Sequence, residues 1–164
     1  MRTVRILVAL TFLLGGMAFA GPPRDVPRFL GATGDGRPAD FTLRGLDGQP
    51  VSLSRFLGKK PVLLVFWATW CPECKAASPK INALHDGLSG EKVQILALDY
   101  RETPERVAAA VKSRGIRYPV LLDEHGDAAR AFGVVGIPTY VLIGRNGTVV
   151  YRDHVLPADI SRFL

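Results

Sequence analysis

Apolar positions in this 164-residue chain change their spacing several times, and each change marks an element. Residues 62–67 form an unbroken apolar run. A run that short, without alternation, predicts a strand covered on both faces. Residues 93–98, apolar except for Gln94, predict a second buried strand, and 118–122 supply a third. Helical signals separate them. One helix is predicted from Cys71 towards Leu88, with Pro72 where a missing N–H costs nothing and Ser89-Gly90 as the breaker. Pro79 lies inside it and removes a bond to the Lys75 carbonyl, so a kink is expected there. Thr103 caps a second helix, which Pro104 opens and Gly115 closes. A short third one covers 126–132 and ends at Gly133. Short strands at 41–44 and 50–53 flank the turn Gly45-Leu46-Asp47-Gly48, and Ser54 is placed to cap one helical turn that stops at Gly58. Residues 139–143 and 148–152 form a hairpin around Arg145-Asn146-Gly147. A last helix can start at Pro157, with about two turns of chain remaining.

That order alternates strand and helix and closes on a hairpin. It predicts an α/β fold: a mixed central sheet, its first strands parallel, with helices on both faces. The orderly region is 40–164. Residues 21–39 are rich in Pro, Gly and Arg without periodicity and read as a linker. Residues 1–20 have the form of a secretory leader: Arg2 and Arg5, an apolar stretch over 6–16, then Ala18-Phe19-Ala20 before a cut at Gly21. The alternative is an uncleaved membrane anchor, and membrane contact is expected only in that case. Either way the domain lies in the periplasm or another extracytoplasmic space. The net charge of +6 falls to about +4 without the leader, and the basic residues are scattered, so solvated surface is the reading. No nucleic-acid motif is present.

The candidate chemistry sits where the first buried strand ends. Trp70-Cys71-Pro72-Glu73-Cys74 contains the only two cysteines, and Ala68 and Thr69 alone separate it from the apolar run. A sulfur at a helix N-terminus meets unpaired backbone N–H groups and the positive end of the helix dipole, which favour a thiolate. A second sulfur one turn on can attack a mixed disulfide formed at the first. Cys71 is the candidate nucleophile and Cys74 the resolving thiol. Pro72 and Glu73 between them tune the pair, with Glu73 disfavouring the Cys71 thiolate by like charge. Trp70 either shields the sulfurs or packs. Trp67 reads as core. An oxidising compartment leaves open a purely structural disulfide.

The segment Phe66-Trp67-Ala68-Thr69-Trp70-Cys71-Pro72-Glu73-Cys74, Pro79, and Gly136-Ile137-Pro138-Thr139 resemble the thioredoxin superfamily. The chain is most similar to its extracytoplasmic TlpA/ResA branch, on the N-terminal hairpin, an extra strand–helix segment before Ile137, and the leader. The resemblance runs from about residue 39 to 152. It implies a thioredoxin-like fold and a cis Ile137–Pro138 bond facing the dithiol, where backbone groups pair with an extended client segment. It also implies disulfide reduction on oxidised periplasmic proteins, of the cytochrome c maturation or metal-site assembly type. A membrane thiol donor would keep the pair reduced. The cofactor would be the redox disulfide alone, and a monomer is expected. Two departures stand out. Relatives carry an acid three residues after the second cysteine, or one within the strand, and here Ala77 and Val65 occupy those places. A different class is also open: a Cu(I) chaperone using the same two thiolates. Related chaperones space their cysteines more widely, however, and His85, His125 and His154 read as surface or loop. Both methionines, Met1 and Met17, fall in the leader. A peroxidase is disfavoured, because the Thr and Pro that peroxiredoxins place ahead of their cysteine have no counterparts here.

Overall fold

The structure is a computed structural model that describes residues 37–88 and 92–163. The leader, most of the linker, and the Ser89-Gly90 breaker lie outside the described residues. Seven strands form one sheet: β1 (Thr42–Gly45), β2 (Pro50–Ser52), β3 (Val62–Trp67), β4 (Gln94–Tyr100), β5 (Val120–Asp123), β6 (Thr139–Ile143) and β7 (Val149–Asp153). Their spatial order is β2-β1-β5-β4-β3-β6-β7. β3, β4 and β5 are parallel, β6 and β7 extend that core antiparallel beside β3, and the β1–β2 hairpin joins antiparallel beside β5. This is the mixed thioredoxin-like architecture that the sequence predicts. Two strand–helix units stand between the helix that starts at Pro72 and residue 137: β4 with α2 (Pro104–Arg114), and β5 with α3 (Asp127–Ala131).

β3 sits at the centre with all six residues buried, which accounts for its continuous apolar run. Leu63, Val65 and Trp67 face one way, onto Ile81 of α1 (Pro72–Leu88) and Val107 of α2. Val62, Leu64 and Phe66 face the other, onto Ala128, Ala129 and Phe132 around α3. Each face thus buries a separate core, and the helices divide two to one between them.

Several local expectations give way to tertiary contacts. Ser54 caps nothing: its N–H donates to Asp40 Oδ1 at 2.9 Å, and the turn at Leu53–Arg55 is 3-10 with Ser52 at its N-cap. Thr103 occupies the N-cap of α2 without a side-chain capping bond, so Pro104 alone marks that start. Pro79 does lie inside α1, as its sequence position predicts, and Ser78 Oγ donates to the Cys74 carbonyl at 3.0 Å. In place of a closing helix after Pro157 there is a single 3-10 turn, Ser161–Phe163, with Phe163 against Tyr151.

Candidate active site

α1 begins at Pro72, directly after Cys71, at the C-terminal end of β3. Cys71 and Cys74 are joined as a disulfide. The Cys71 N–H reaches back to the Ala68 carbonyl at 3.3 Å, and the Cys74 N–H donates to Cys71 Sγ at 3.1 Å. The first sulfur therefore already receives a helix-terminal backbone donor, the contact that stabilises a thiolate once the bond is opened. Burial does not separate the two cysteines: Cys71 is 3% exposed and Cys74 4%. What separates them is position, one at the helix end and one within its first turn.

Pro72 is exposed at that end. Glu73 is exposed too, yet its Oε2 stands 3.9 Å from Cys71 Sγ. Its charge opposes a thiolate there, as expected. Glu73→Gln should therefore lower the Cys71 thiol pKa and speed its alkylation about two- to five-fold, read from the pH dependence of iodoacetamide reaction; an unchanged rate would mean the carboxylate is fully screened.

The Ile137–Pro138 bond is cis. Thr139 pairs with Phe66 in the sheet, so the cis loop and the segment leading to Cys71 leave the same end of adjacent strands. Pro138 is buried and Ile137 packs against the core cluster that holds both cysteines. His154, read from sequence as a loop residue, braces this loop: its Nδ1 lies 2.7 Å from the Pro138 carbonyl oxygen, and Thr139 Oγ1 donates to the Gly136 carbonyl at 2.6 Å. Trp70 is 59% exposed and walls a groove of about 360 Å³ shared with Tyr100, Val134, Val135, Gly136 and Ile137. The Arg101 guanidinium lies 5.7 Å from the Tyr100 ring centroid. Tyr100 is backed by Gly126, where an added Cβ would meet the ring at 2.8 Å. Trp67 is core, with Arg114 over its ring at 5.8 Å.

Sequence reading misses the polar group under the active-site loop. Glu102, with a nearly buried side chain, accepts from the Thr69 N–H at 2.5 Å and from Thr69 Oγ1 at 2.6 Å, and pairs with Arg106 at 2.9 Å. Arg114 Nη2 donates to the Thr69 carbonyl at 2.5 Å. Thr69 is thus held on three sides, two residues before Cys71. Removing Glu102 as alanine leaves buried donors unmatched and should cost about 3 kcal/mol in a urea titration; a loss under ~0.5 kcal/mol would refute this bracing. Beside it, Asp99 is buried at the end of β4. The only sequence signal for Asp99 is parity, since it follows Ile95 and Ala97 at two-residue spacing.

A model of the AhpC/TSA family matches residues 35–152. The chain belongs to the AhpC/TSA family. Within that family it is similar to proteins named thiol-disulfide oxidoreductase ResA. It is 36% identical over 111 residues to the one from Bacillus thuringiensis subsp. konkukian, a match covering 68% of this chain and 64% of that relative, so the chain spans just under two thirds of the relative's length. To the one from Geobacillus thermodenitrificans it is 34% identical over 127 residues, covering 76% of this chain and 72% of the relative. Among solved structures, a thioredoxin-family thiol:disulfide interchange protein from Chlorobium tepidum superposes with a TM-score of 0.68 at 27% identity, covering 77% of this chain and 92% of that one. The family match takes in the cysteine pair, the cis-proline loop and every strand but the last residue of β7. Among the described residues of this AhpC/TSA protein, no group of three or more His, Cys, Asp or Glu is placed to hold a metal ion, and no helix is long and apolar enough to cross a membrane.

Proposed function

We propose that this chain is an extracytoplasmic thiol–disulfide oxidoreductase that reduces disulfides in oxidised client proteins. The observation that carries the reading is the cysteine pair at the start of α1 beside the cis Ile137–Pro138 peptide. The Cys71 thiolate attacks one client sulfur, an S–S bond forms to the client, and the other client sulfur leaves as thiolate. Cys74 then loses its proton and attacks Cys71 Sγ. The intramolecular disulfide closes, the second client thiolate departs, and two electrons have passed to the client. A thiol donor in the membrane restores the dithiol.

Trp70, Ile137 and Pro138 bind the client: backbone beside Pro138 pairs with an extended segment, and the apolar groove takes a large side chain near the client cysteine. Clients of the cytochrome c maturation or metal-site assembly type fit this scheme. The leader over 1–20 supports a periplasmic setting.

The purified protein should accelerate insulin reduction by dithiothreitol, and its cysteine couple should lie near the thioredoxin value of about −270 mV. A potential near about −120 mV would reverse the direction and make it an oxidant, and one below about −300 mV with no acceleration would leave only a structural disulfide.

A further inference from the structure

The chain leaves β7 in a way that delivers one side chain to the Gly136–Thr139 loop. Tyr140 and Asp153 are the last pair in register between β6 and β7. Beyond them Asp153 turns the chain: its Oδ1 accepts from the His154 N–H at 2.6 Å and from the Val155 N–H at 3.2 Å. Tyr151 Oη donates to the Val155 carbonyl at 2.6 Å, and Leu156 is buried in the core that holds both cysteines. This Asx turn occupies the N–H groups that would otherwise continue the ladder towards β6. A side chain makes the next link instead. His154 Nδ1 lies 2.7 Å from the Pro138 carbonyl oxygen.

A carbonyl oxygen only accepts, so Nδ1 carries the hydrogen and donates it. Thr139 Oγ1, 3.3 Å from the same nitrogen, uses its own hydrogen on the Gly136 carbonyl at 2.6 Å. The imidazole also closes on Gly136, where an added Cβ would meet His154 Cε1 at 3.5 Å. One ring therefore touches the residues on both sides of Ile137. The carbonyls of Gly136 and Pro138 are engaged, whereas Ile137 makes no backbone–backbone hydrogen bond among the described residues. Ile137 lines the same groove as Trp70, the residue before Cys71.

We propose that His154 is a positioning residue for client docking: its Nδ1–H fixes the Pro138 carbonyl and so keeps the Ile137 backbone set for an incoming extended segment. This rests on the thiol–disulfide exchange proposed above and gives His154 no part in electron or proton transfer. With the Pro138 carbonyl released, the peptide planes around Ile137 sample more orientations, and a client must order them as it binds. The cysteine chemistry is left alone, because the hydrogen bonds of His154 go to Asp153, Pro138 and Thr139 and to neither cysteine. The position of the nitrogen decides the effect. An Asn amide nitrogen stands as far from the backbone as His Nδ1, while a Gln amide nitrogen stands where Nε2 does.

Two disulfides of different kind test this on the full-length reduced protein. Insulin presents peptide backbone around its disulfides, and Ellman's reagent presents none. His154→Ala should slow insulin reduction about three- to ten-fold, the worth of one net hydrogen bond, and leave the first thiolate release from Ellman's reagent within about two-fold. The loss should fall on KM for insulin rather than on kcat. His154→Asn should recover most of the insulin rate, and His154→Gln should not. Equal slowing with both disulfides, slowing with neither, or recovery by Gln as complete as by Asn overturns the proposal. Unaltered protein that reacts with neither disulfide instead sinks the exchange reading, and the docking role with it. A second measurement needs no variant: with 15N-labelled histidine, NMR of the unaltered protein should find the neutral His154 ring carrying its hydrogen on Nδ1. A hydrogen on Nε2 alone overturns the proposal.

Discussion

Under the proposed thiol–disulfide exchange, Cys74→Ser is expected to turn the protein into a trap. Its Cys71 still attacks client disulfides, but the mixed disulfide has no resolving thiol, so turnover in the insulin assay is expected to fall by at least ~10³ while a covalent adduct accumulates. The size follows from geometry. Cys74 attacks from within the first turn of α1, and well-placed intramolecular groups act at effective concentrations of about 10⁵ M or more. External thiol at millimolar levels cannot match that. Cys71→Ser should lose adduct formation as well as turnover. Mass spectrometry of each variant after exposure to an oxidised client reads both outcomes. Adduct on Cys74 in the Cys71→Ser protein, with none on Cys71 in the other, would exchange the two roles.

The second large effect is on stability against pH. Asp99 has its carboxyl raised from 3.8 to about 8, by burial first and then by Glu102. Below pH 3.8 both folded and unfolded chains carry this proton, and nothing is lost. Between pH 4 and 8 the unfolded chain gives it up while the folded chain keeps it, so folding stability falls by about 1.4 kcal/mol per pH unit from this residue. Above about 8 the folded carboxyl ionises too, and the loss stops growing, at an upper bound of about 6 kcal/mol over those four units. Asp99→Asn removes the titration and keeps the shape. The variant should match the unaltered disulfide form in urea midpoint near pH 4 and exceed it progressively up to pH 8 to 9. A constant difference between the two proteins over that range would show that Asp99 is ionised in the folded state.

These two expectations rest on residues of very different legibility. Cys71 and Cys74 could be assigned to a helix start from sequence because the signals are local: an apolar run, a two-residue gap, and Pro72. The same holds for the seven strands, where period and turn residues decide. The cis bond at Ile137–Pro138 came through resemblance and stands in the structure. The polar group under the loop is another matter. Glu102 lies 33 residues from Thr69 and Arg114 lies 45, and only the parallel packing of β3 and β4 brings them together. Ala77 and Val65 stand where relatives carry an acid, and the strand predicted over 93–98 stops one residue short of Asp99, which β4 (Gln94–Tyr100) takes in and buries. The missed caps at Ser54 and Thr103 have a similar cause. Residue type licenses a cap, but competing tertiary partners decide whether the side chain turns that way.

Gly126 carries a consequence that reaches beyond its own turn. With φ at +71° and no room for a side chain, it supports the back of Tyr100 from the sheet face opposite the sulfurs. The contour of the groove beside Trp70 is thereby set by a connection remote from the cysteine pair. A change at Gly126 is therefore expected to reshape the groove through Tyr100 while leaving the Cys71–Cys74 pair in place.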